Sequence, residues 1–483
     1  MPSATSALVQ RVWNYAHVLR DDGLSYLDYT EQITYLIFLK IAWERATSSQ
    51  QASTDPQFCW GKLISTDDTK LAQTYQAILR KLSGSSGLLG LIFTKPQSKI
   101  EDVAKLRRLI RLVDEQNWSS LDVDVKGEIY EGILARNAED VRGGAGQYFT
   151  PRPIIRAIVD VMCPDLEMHI SDPACGTGGF LLAAHEYLLK RYPEMDRKSR
   201  KFIDHQAMHG NDIVASVARL CGMNLFLHGM GGGKQLLVEI SDSLAKRPAL
   251  AHMVLTNPPF GKKSSFTVIH DDGKRDTEKI YYERKDFWAT TSNKQLNFVQ
   301  NVYTMLIDGG RAAMVVPDNV LFEGGAGEEI RRELLKRCDV HTLLRLPTGI
   351  WYSPGVKANV LFFDKPADSI MPATKDLWVY DLRTNKNFTL RHNPIADKDL
   401  KEFVDVYHAE NRRQRRESDR FKKFTYSELL NRDKANLDIF WFPDESLTDL
   451  NRWAKPEALA SAIIKDLEEA MTAFREIEKE TKV

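Results

Sequence analysis

Between residues 168 and 189 the chain passes from a short apolar strand, Met168-His169-Ile170-Ser171, through Asp172-Pro173-Ala174-Cys175-Gly176-Thr177-Gly178-Gly179-Phe180 into a helical pattern. Strand, glycine turn and helix in that order is how a doubly wound α/β sheet makes a nucleotide site, because glycines let the backbone pass close to a ligand. The turn is neither G-x-G-x-x-G nor a P-loop, since no Lys-Ser/Thr follows it. A carboxylate at the strand end, Asp172, suits an amine-bearing, cationic cofactor better than a pyrophosphate. That points to S-adenosylmethionine rather than a dinucleotide, with Gly176, Thr177, Gly178 and Gly179 as the close approach.

Later strand ends continue the pattern. His209-Gly210-Asn211-Asp212 comes about 30 to 40 residues after the glycine turn, where Asp212 is placed to accept from ribose hydroxyls. Asp242, after the strand 236–240, is placed to read an adenine amine. The apolar run Met253-Val254-Leu255-Thr256 then closes on Asn257-Pro258-Pro259-Phe260. An exocyclic amine on a nucleobase is a poor nucleophile because its lone pair is delocalised into the ring. The Asn257 carbonyl can accept one N–H and the Pro258 carbonyl the other, drawing the lone pair back onto nitrogen. Phe260 would stack on the face of a base held outside the duplex, a contact worth roughly 1–3 kcal/mol.

Upstream, Gly143-Gly144-Ala145-Gly146 leads into Gln147-Tyr148-Phe149-Thr150-Pro151-Arg152-Pro153. Thr150 before Pro151 predicts a hydroxyl-capped helix start, and the glycines again permit close approach to a ligand. Residues 7–140 have helical periodicity, with helices expected over 70–82 and 105–114 and an N-cap at Thr30. Downstream, a helix over 296–306, a strand over 311–316, a helix over 327–338 and strands over 341–346 and 358–364 extend the sheet. The stretch between Phe260 and Leu296 reads as a substrate-side loop, as do 324–327 and 348–355. After Asp364 the order loosens. The run Asn411-Arg412-Arg413-Gln414-Arg415-Arg416, continuing to Lys423, reads as a solvated helix face or a phosphate-contacting strip. Ile463, Leu467, Ala470, Phe474 and Ile477 have heptad spacing and want a partner helix.

Lysine plus arginine and aspartate plus glutamate both number 66, so the formal net charge is zero. A protein that bound a long nucleic-acid footprint alone would be basic, so a partner supplies positive surface or the charge is segregated. The five cysteines have no metal spacing, which argues against zinc and fits a reducing cytoplasm. No apolar run approaches membrane-spanning length, and a soluble, cytoplasmic chain is expected.

The helical N-terminal region, Gln147 to Arg152, the Asp172 to Phe180 turn and Asn257 to Phe260, in this order, resemble the DNA adenine-N6 methyltransferase (modification) subunit of type I restriction-modification systems. The resemblance covers nearly the whole chain, including Pro347-Thr348-Gly349-Ile350 and Ala358-Asn359-Val360-Leu361-Phe362-Phe363. It implies an α/β fold: a Rossmann-like S-adenosylmethionine-dependent methyltransferase sheet over 141–366, a helical N-terminal domain over 1–140 and a helical C-terminal extension over 367–483. It implies that Gln147, Tyr148, Phe149, Thr150, Pro151, Arg152, the Thr177-Gly178-Gly179 turn and Asp212 bind S-adenosylmethionine, and that Asn257, Pro258, Pro259 and Phe260 hold a flipped adenine. The expected partners are double-stranded DNA, a specificity subunit serving two copies of this chain and a motor-nuclease subunit. Many relatives carry Glu where Asp212 stands; the shorter acid still reaches a ribose. Only 119 residues follow Asp364, too few for a separate module reading a long DNA site.

Methylation of glutamine or RNA is the alternative, because the Asn-Pro-Pro-Phe device holds any planar amide or amine. The long N-terminal bundle and terminal heptad argue against it. A cytosine-C5 enzyme is disfavoured because no cysteine stands at the strand end that carries Asn257.

Overall fold

The computed structural model describes residues 19, 26–48, 60–118, 150–231, 235–260, 265–269, 275–279, 281–351, 356–368, 371–390 and 393–442. Gln147, Tyr148 and Phe149, and the heptad of 463–477, lie outside the described residues.

Helices Tyr26–Ser48, Trp60–Ser65, Asp68–Leu82, Gly87–Ile92 and Val103–Asp114 make up the N-terminal part. The first helix is buried all round from Tyr29 to Ile41, whereas Asp68–Leu82 buries one stripe, Leu71, Tyr75, Ile78, Leu79 and Leu82. Asp102 caps the Val103–Asp114 helix, accepting from the Ala104 and Lys105 amides. Thr30 is no N-cap. It is buried one turn inside the first helix, where its carbonyl accepts from Thr34 Oγ1 at 2.7 Å. The bundle packs on helix Ala215–Leu227: a Cβ on Gly222 would meet Leu88 and Leu91 at 3.2 Å, and Arg219 pairs with buried Glu31.

The strands are β1 (Ile170–Asp172), β2 (Met208–Asp212), β3 (Val238–Ile240), β4 (Ala251–Thr256), β5 (Ser265–Ile269), β6 (Arg275–Lys279), β7 (Leu306–Pro317), β8 (Asp339–Arg345), β9 (Ala358–Asp364), β10 (Asp376–Asp381) and β11 (Phe421–Thr425). Nine form one sheet in the order β11-β10-β8-β9-β7-β4-β1-β2-β3. Neighbours from β3 to β7 are all parallel, β9 runs antiparallel to β7 and β8, and β10 returns parallel to β8. From β1 the chain winds outward through β2 and β3, then crosses back to β4 and β7. The junction of β1 and β4 is therefore the switch point, where ligands of open α/β sheets gather.

Both sheet faces are covered, so the central strands are apolar on both sides. Met253, Leu255, Ala313 and Val315 face a core shared with helices Arg152–Met162, Gly179–Arg191 and Ala215–Leu227. Val254, Ala312, Met314 and Val316 face a second core under helices Lys294–Met305 and Ala326–Arg337.

Three readings change. The stretch after Phe260 contains an antiparallel pair, β5 with β6. The sheet does not stop at Asp364, because β10 and β11 add to its edge. The basic run is not a helix face, and three of its arginines are internal ties, while Arg413, Arg416 and Lys423 stay exposed. Arg412 bonds Asp364 at 2.6 Å, and Arg415, 3% exposed, donates to the Tyr407 and His341 carbonyls at 2.8 and 3.1 Å. Arg420 donates to the Asp381 and Thr384 carbonyls, both at 2.9 Å. These guanidiniums tie the β11 segment to the sheet, which is why they cluster in sequence.

Candidate active site

The carboxyl ends of β1, β2 and β4 bring three sequence-predicted groups together. Asp172 ends β1, Asp212 ends β2 and Asn257 follows β4. The turn after β1 is folded by Gly176 and Gly178, at φ +53° and +85°, a region only glycine enters cheaply. A Cβ at Gly176 would point into open space, whereas at Gly178 it would strike Cys221 Sγ at 2.8 Å and at Gly179 the Ile155 side chain at 2.9 Å. The first glycine thus leaves room on the ligand side and the other two let the helix close on its neighbours. Asn224, 1% exposed, donates Nδ2 to the Thr177 carbonyl at 2.9 Å and braces the turn from behind.

The acids are held differently. Asp172 is buried; its Oδ1 accepts from Thr256 Oγ1 at 2.6 Å and from the Ala174 amide at 3.1 Å. Burial outweighs those two bonds and, with Asp212 close by, pushes its carboxyl up to about 7. Asp212 accepts from the Gly176 amide at 3.2 Å and the Val214 amide at 2.8 Å, and burial raises its carboxyl too. Asp242, after β3, accepts from the Leu244 and Ala245 amides through Oδ1 and from Tyr282 Oη through Oδ2 at 3.1 Å. It sits at the same sheet end, within a polar link to the segment after β6.

Thr150 is not a cap. The helix begins at Arg152 with Pro151 in the capping position, and no side chain caps it. The Thr150 hydroxyl is used across the chain instead, accepting from Asn257 Nδ2 at 2.8 Å. With the amide nitrogen so held, Asn257 Oδ1 is left buried with no partner among the described residues. Arg152 reaches the glycine turn, donating Nη1 to the Gly179 carbonyl at 3.4 Å; burial lowers its guanidinium to about 10, so it stays charged at neutral pH. Phe260 meets Trp351 edge-on, centroids 5.7 Å apart at 83°, and the buried Trp351 Nε1 has no partner among the described residues.

Sequence reading missed Thr256, Asn224, Tyr282, Trp351 and Gln295, whose Nε2 donates to the Pro259 carbonyl at 3.2 Å. The signal available for Thr256 was its place immediately before Asn257; Tyr282, Gln295 and Trp351 lay in stretches already read as substrate-side. The bonds that Asn224, Tyr282 and Gln295 make, across 36 to 47 residues, no local pattern reveals. Among the described residues no His/Cys/Asp/Glu group is arranged to hold a metal, and no helix is long and apolar enough to cross a membrane.

Against known proteins, residues 121–444 match the family described as N-6 DNA Methylase, and residues 8–114 match the HsdM N-terminal domain. The type I restriction enzyme StySJI methylase subunit of Salmonella typhimurium is 34% identical over 96% of this chain and 93% of its own length. The chain belongs to the N-6 DNA methylase family. Within it, the similarity is to type I methylase subunits along their whole length. The EcoKI methylase subunit of Escherichia coli is 33% identical over 98% of this chain and 95% of its own. The crystal structure of the type I restriction enzyme EcoKI M protein superposes with a TM-score of 0.54 at 30% identity, covering 99% of this chain and 96% of that one. The chain is thus a type I N-6 DNA methylase subunit, an adenine-specific DNA methyltransferase with an α/β fold, and DNA is favoured over the glutamine and RNA alternatives.

Proposed function

We propose that this N-6 DNA methylase subunit moves the methyl group of S-adenosylmethionine to N6 of an adenine flipped out of double-stranded DNA, with Asn257, Pro258, Pro259 and Phe260 holding the base. The observation that carries this is the locked Asn257 amide, whose nitrogen is bonded to Thr150 and whose buried oxygen awaits a donor. An amine offering two N–H groups satisfies that oxygen and the Pro258 carbonyl together. With both N–H groups so held, the lone pair would be freed on the nitrogen for attack on an electrophilic methyl group, and the spare proton would leave to solvent. No covalent protein intermediate is required. Rate enhancement rests on holding the amine in line and on polarising it.

The cofactor fits the residues present: open space beside Gly176 for a close ligand, Asp212 bonded to the Gly176 amide, and Asp172 at the end of the neighbouring strand. When bound, S-adenosylmethionine supplies an electrophilic methyl group on a sulfonium. Asp172 would take its amine, Asp212 its ribose hydroxyls and Asp242 the edge of its adenine, and Thr150, Pro151 and Arg152 would flank it; the resemblance assigns Gln147, Tyr148 and Phe149 to the same cofactor. The functional division is an N-terminal region over 1–140 and a catalytic region from 141, whose sheet runs past 366 into the extension over 367–483 through β10 and β11. The working assembly is two copies of this chain on one specificity subunit, joined for cleavage by a motor-nuclease subunit; the zero net charge and the type I relatives support this reading. Transfer of labelled methyl to duplex DNA by the chain with and without its specificity subunit tests it: N6-methyladenine only with the partner is expected, and label in protein or RNA would refute it.

A further inference from the structure

Pro258 and Pro259 have no N–H, so two of the four residues in the turn that presents Asn257 donate no backbone bond to hold it. A donor from outside the turn makes up for part of that loss. The anchor observed is Gln295, 6% exposed, which donates Nε2 to the Pro259 carbonyl at 3.2 Å.

Gln295 stands in the first turn of helix Lys294–Met305, whose position is unusually constrained. Asn293 caps it, accepting from the Gln295 amide at 3.0 Å and the Leu296 amide at 3.4 Å, while its own Nδ2 donates to Glu323 at 2.8 Å. Further along, the helix buries amides as well as apolar groups. Asn297 donates to the Thr291 carbonyl at 2.8 Å, Gln300 accepts from the Trp288 and Ala289 amides at 2.7 and 2.9 Å, and Asn301 accepts from Arg284 at 2.6 Å. Each buried amide left unpaired would cost about 1–3 kcal/mol, so the network resists rotation or sliding of the helix. The segment it grips also carries Tyr282, which donates to Asp242. One helix therefore braces both the turn after β4 and the acid after β3.

We infer that Gln295 is a positioning residue for methyl transfer: by pinning the Pro259 carbonyl it sets the peptide planes that aim the Pro258 carbonyl and the Phe260 ring at the target base. The inference rests on the reading of residues 257–260 as the amine-binding turn. Gln295 touches neither substrate nor cofactor; it acts through Pro259.

The test uses the full chain purified with its specificity subunit, acting on unmethylated genomic DNA, with Gln295→Met, Gln295→Glu and Asn257→Ala compared. Gln295→Met keeps the volume and removes the donor; it should lower kcat about 10- to 100-fold, because the half-buried Pro259 carbonyl is no longer held in place. KM for DNA and cofactor should stay close to those of the unaltered chain, and the melting temperature should fall only slightly, because a half-buried carbonyl can still reach water. Gln295→Glu gives the readout that a packing role would not. Its carboxylate repels the Pro259 carbonyl, but once protonated it donates to it, so activity relative to Gln295→Met should recover as pH falls from about 8 to about 6. A kcat within about 2-fold of normal for Gln295→Met, or a loss that merely follows melting temperature with no pH recovery in Gln295→Glu, would overturn the inference. Because Asn257→Ala is run alongside, an inactive Asn257→Ala with a normal Gln295→Met sinks the positioning role alone. A normal rate for Asn257→Ala removes the amine-binding reading and this inference with it.

Discussion

Thr256 Oγ1 donates to Asp172 Oδ1 at 2.6 Å, joining the ends of β4 and β1 across 84 residues of chain. The residue after Thr256 is Asn257, and the residues after Asp172 are the glycine turn. One hydroxyl thus couples the Asn257 turn to the glycine turn at the switch point of the sheet.

The Asp172 carboxyl predicts a pH dependence. Burial raises it to about 7, well above the unfolded value near 3.9, so the native ligand-free chain favours the neutral acid. The stabilisation this brings is full below about pH 4 and is lost as pH rises through about 7. A cationic cofactor reverses the preference, because it favours the carboxylate. Calorimetric titration with S-adenosylmethionine should show proton release below about pH 7 and affinity that rises with pH up to that point. Asp172→Asn should abolish both the slope and the proton release, and in denaturant unfolding should remove the loss of stability between about pH 4 and 7.

Gly178→Ala tests the turn. Its φ of +85° strains any L side chain, and the new Cβ would strike Cys221 Sγ at 2.8 Å. Strain and overlap together should cost about 1–3 kcal/mol, read as a lower melting temperature, with cofactor affinity falling about 10-fold or more. Gly176→Ala meets no atom within 4 Å and bears only the strain, so its effect should fall on cofactor binding more than on stability.

The strand-end acids and the Asn257 turn were legible because each chemical group lies beside the local pattern that places it. Other features depend on partners far away in sequence. Thr150 reads as a cap because Pro151 follows it, yet a residue 107 positions away takes its hydroxyl. The run 412–423 reads as solvated because its partners, Asp364 and the His341 carbonyl, are 48 and 74 residues from Arg412 and Arg415. Lys422 and Lys423 sit on β11, the edge strand, where exposed charge is what a sheet edge needs against unwanted pairing. That explains why the last strand does not read as a strand in the sequence.

Arg415→Met separates an internal tie from a phosphate contact. Losing its bonds to the Tyr407 and His341 carbonyls should destabilise the chain by about 2–4 kcal/mol in denaturant unfolding. The slope of DNA affinity against salt should not change, since no phosphate contact is lost. A shallower slope with unchanged stability would return this run to the DNA interface.

The most direct test of the whole account is single-turnover methylation of duplex DNA by the chain with its specificity subunit, comparing Asn257→Ala with the unaltered sequence and identifying the modified base. The account predicts N6-methyladenine from the unaltered chain and a methyl-transfer rate at least about 100-fold lower for Asn257→Ala, with cofactor affinity retained. An Asn257→Ala rate equal to that of the unaltered chain, or methyl found on anything other than adenine N6, would contradict it.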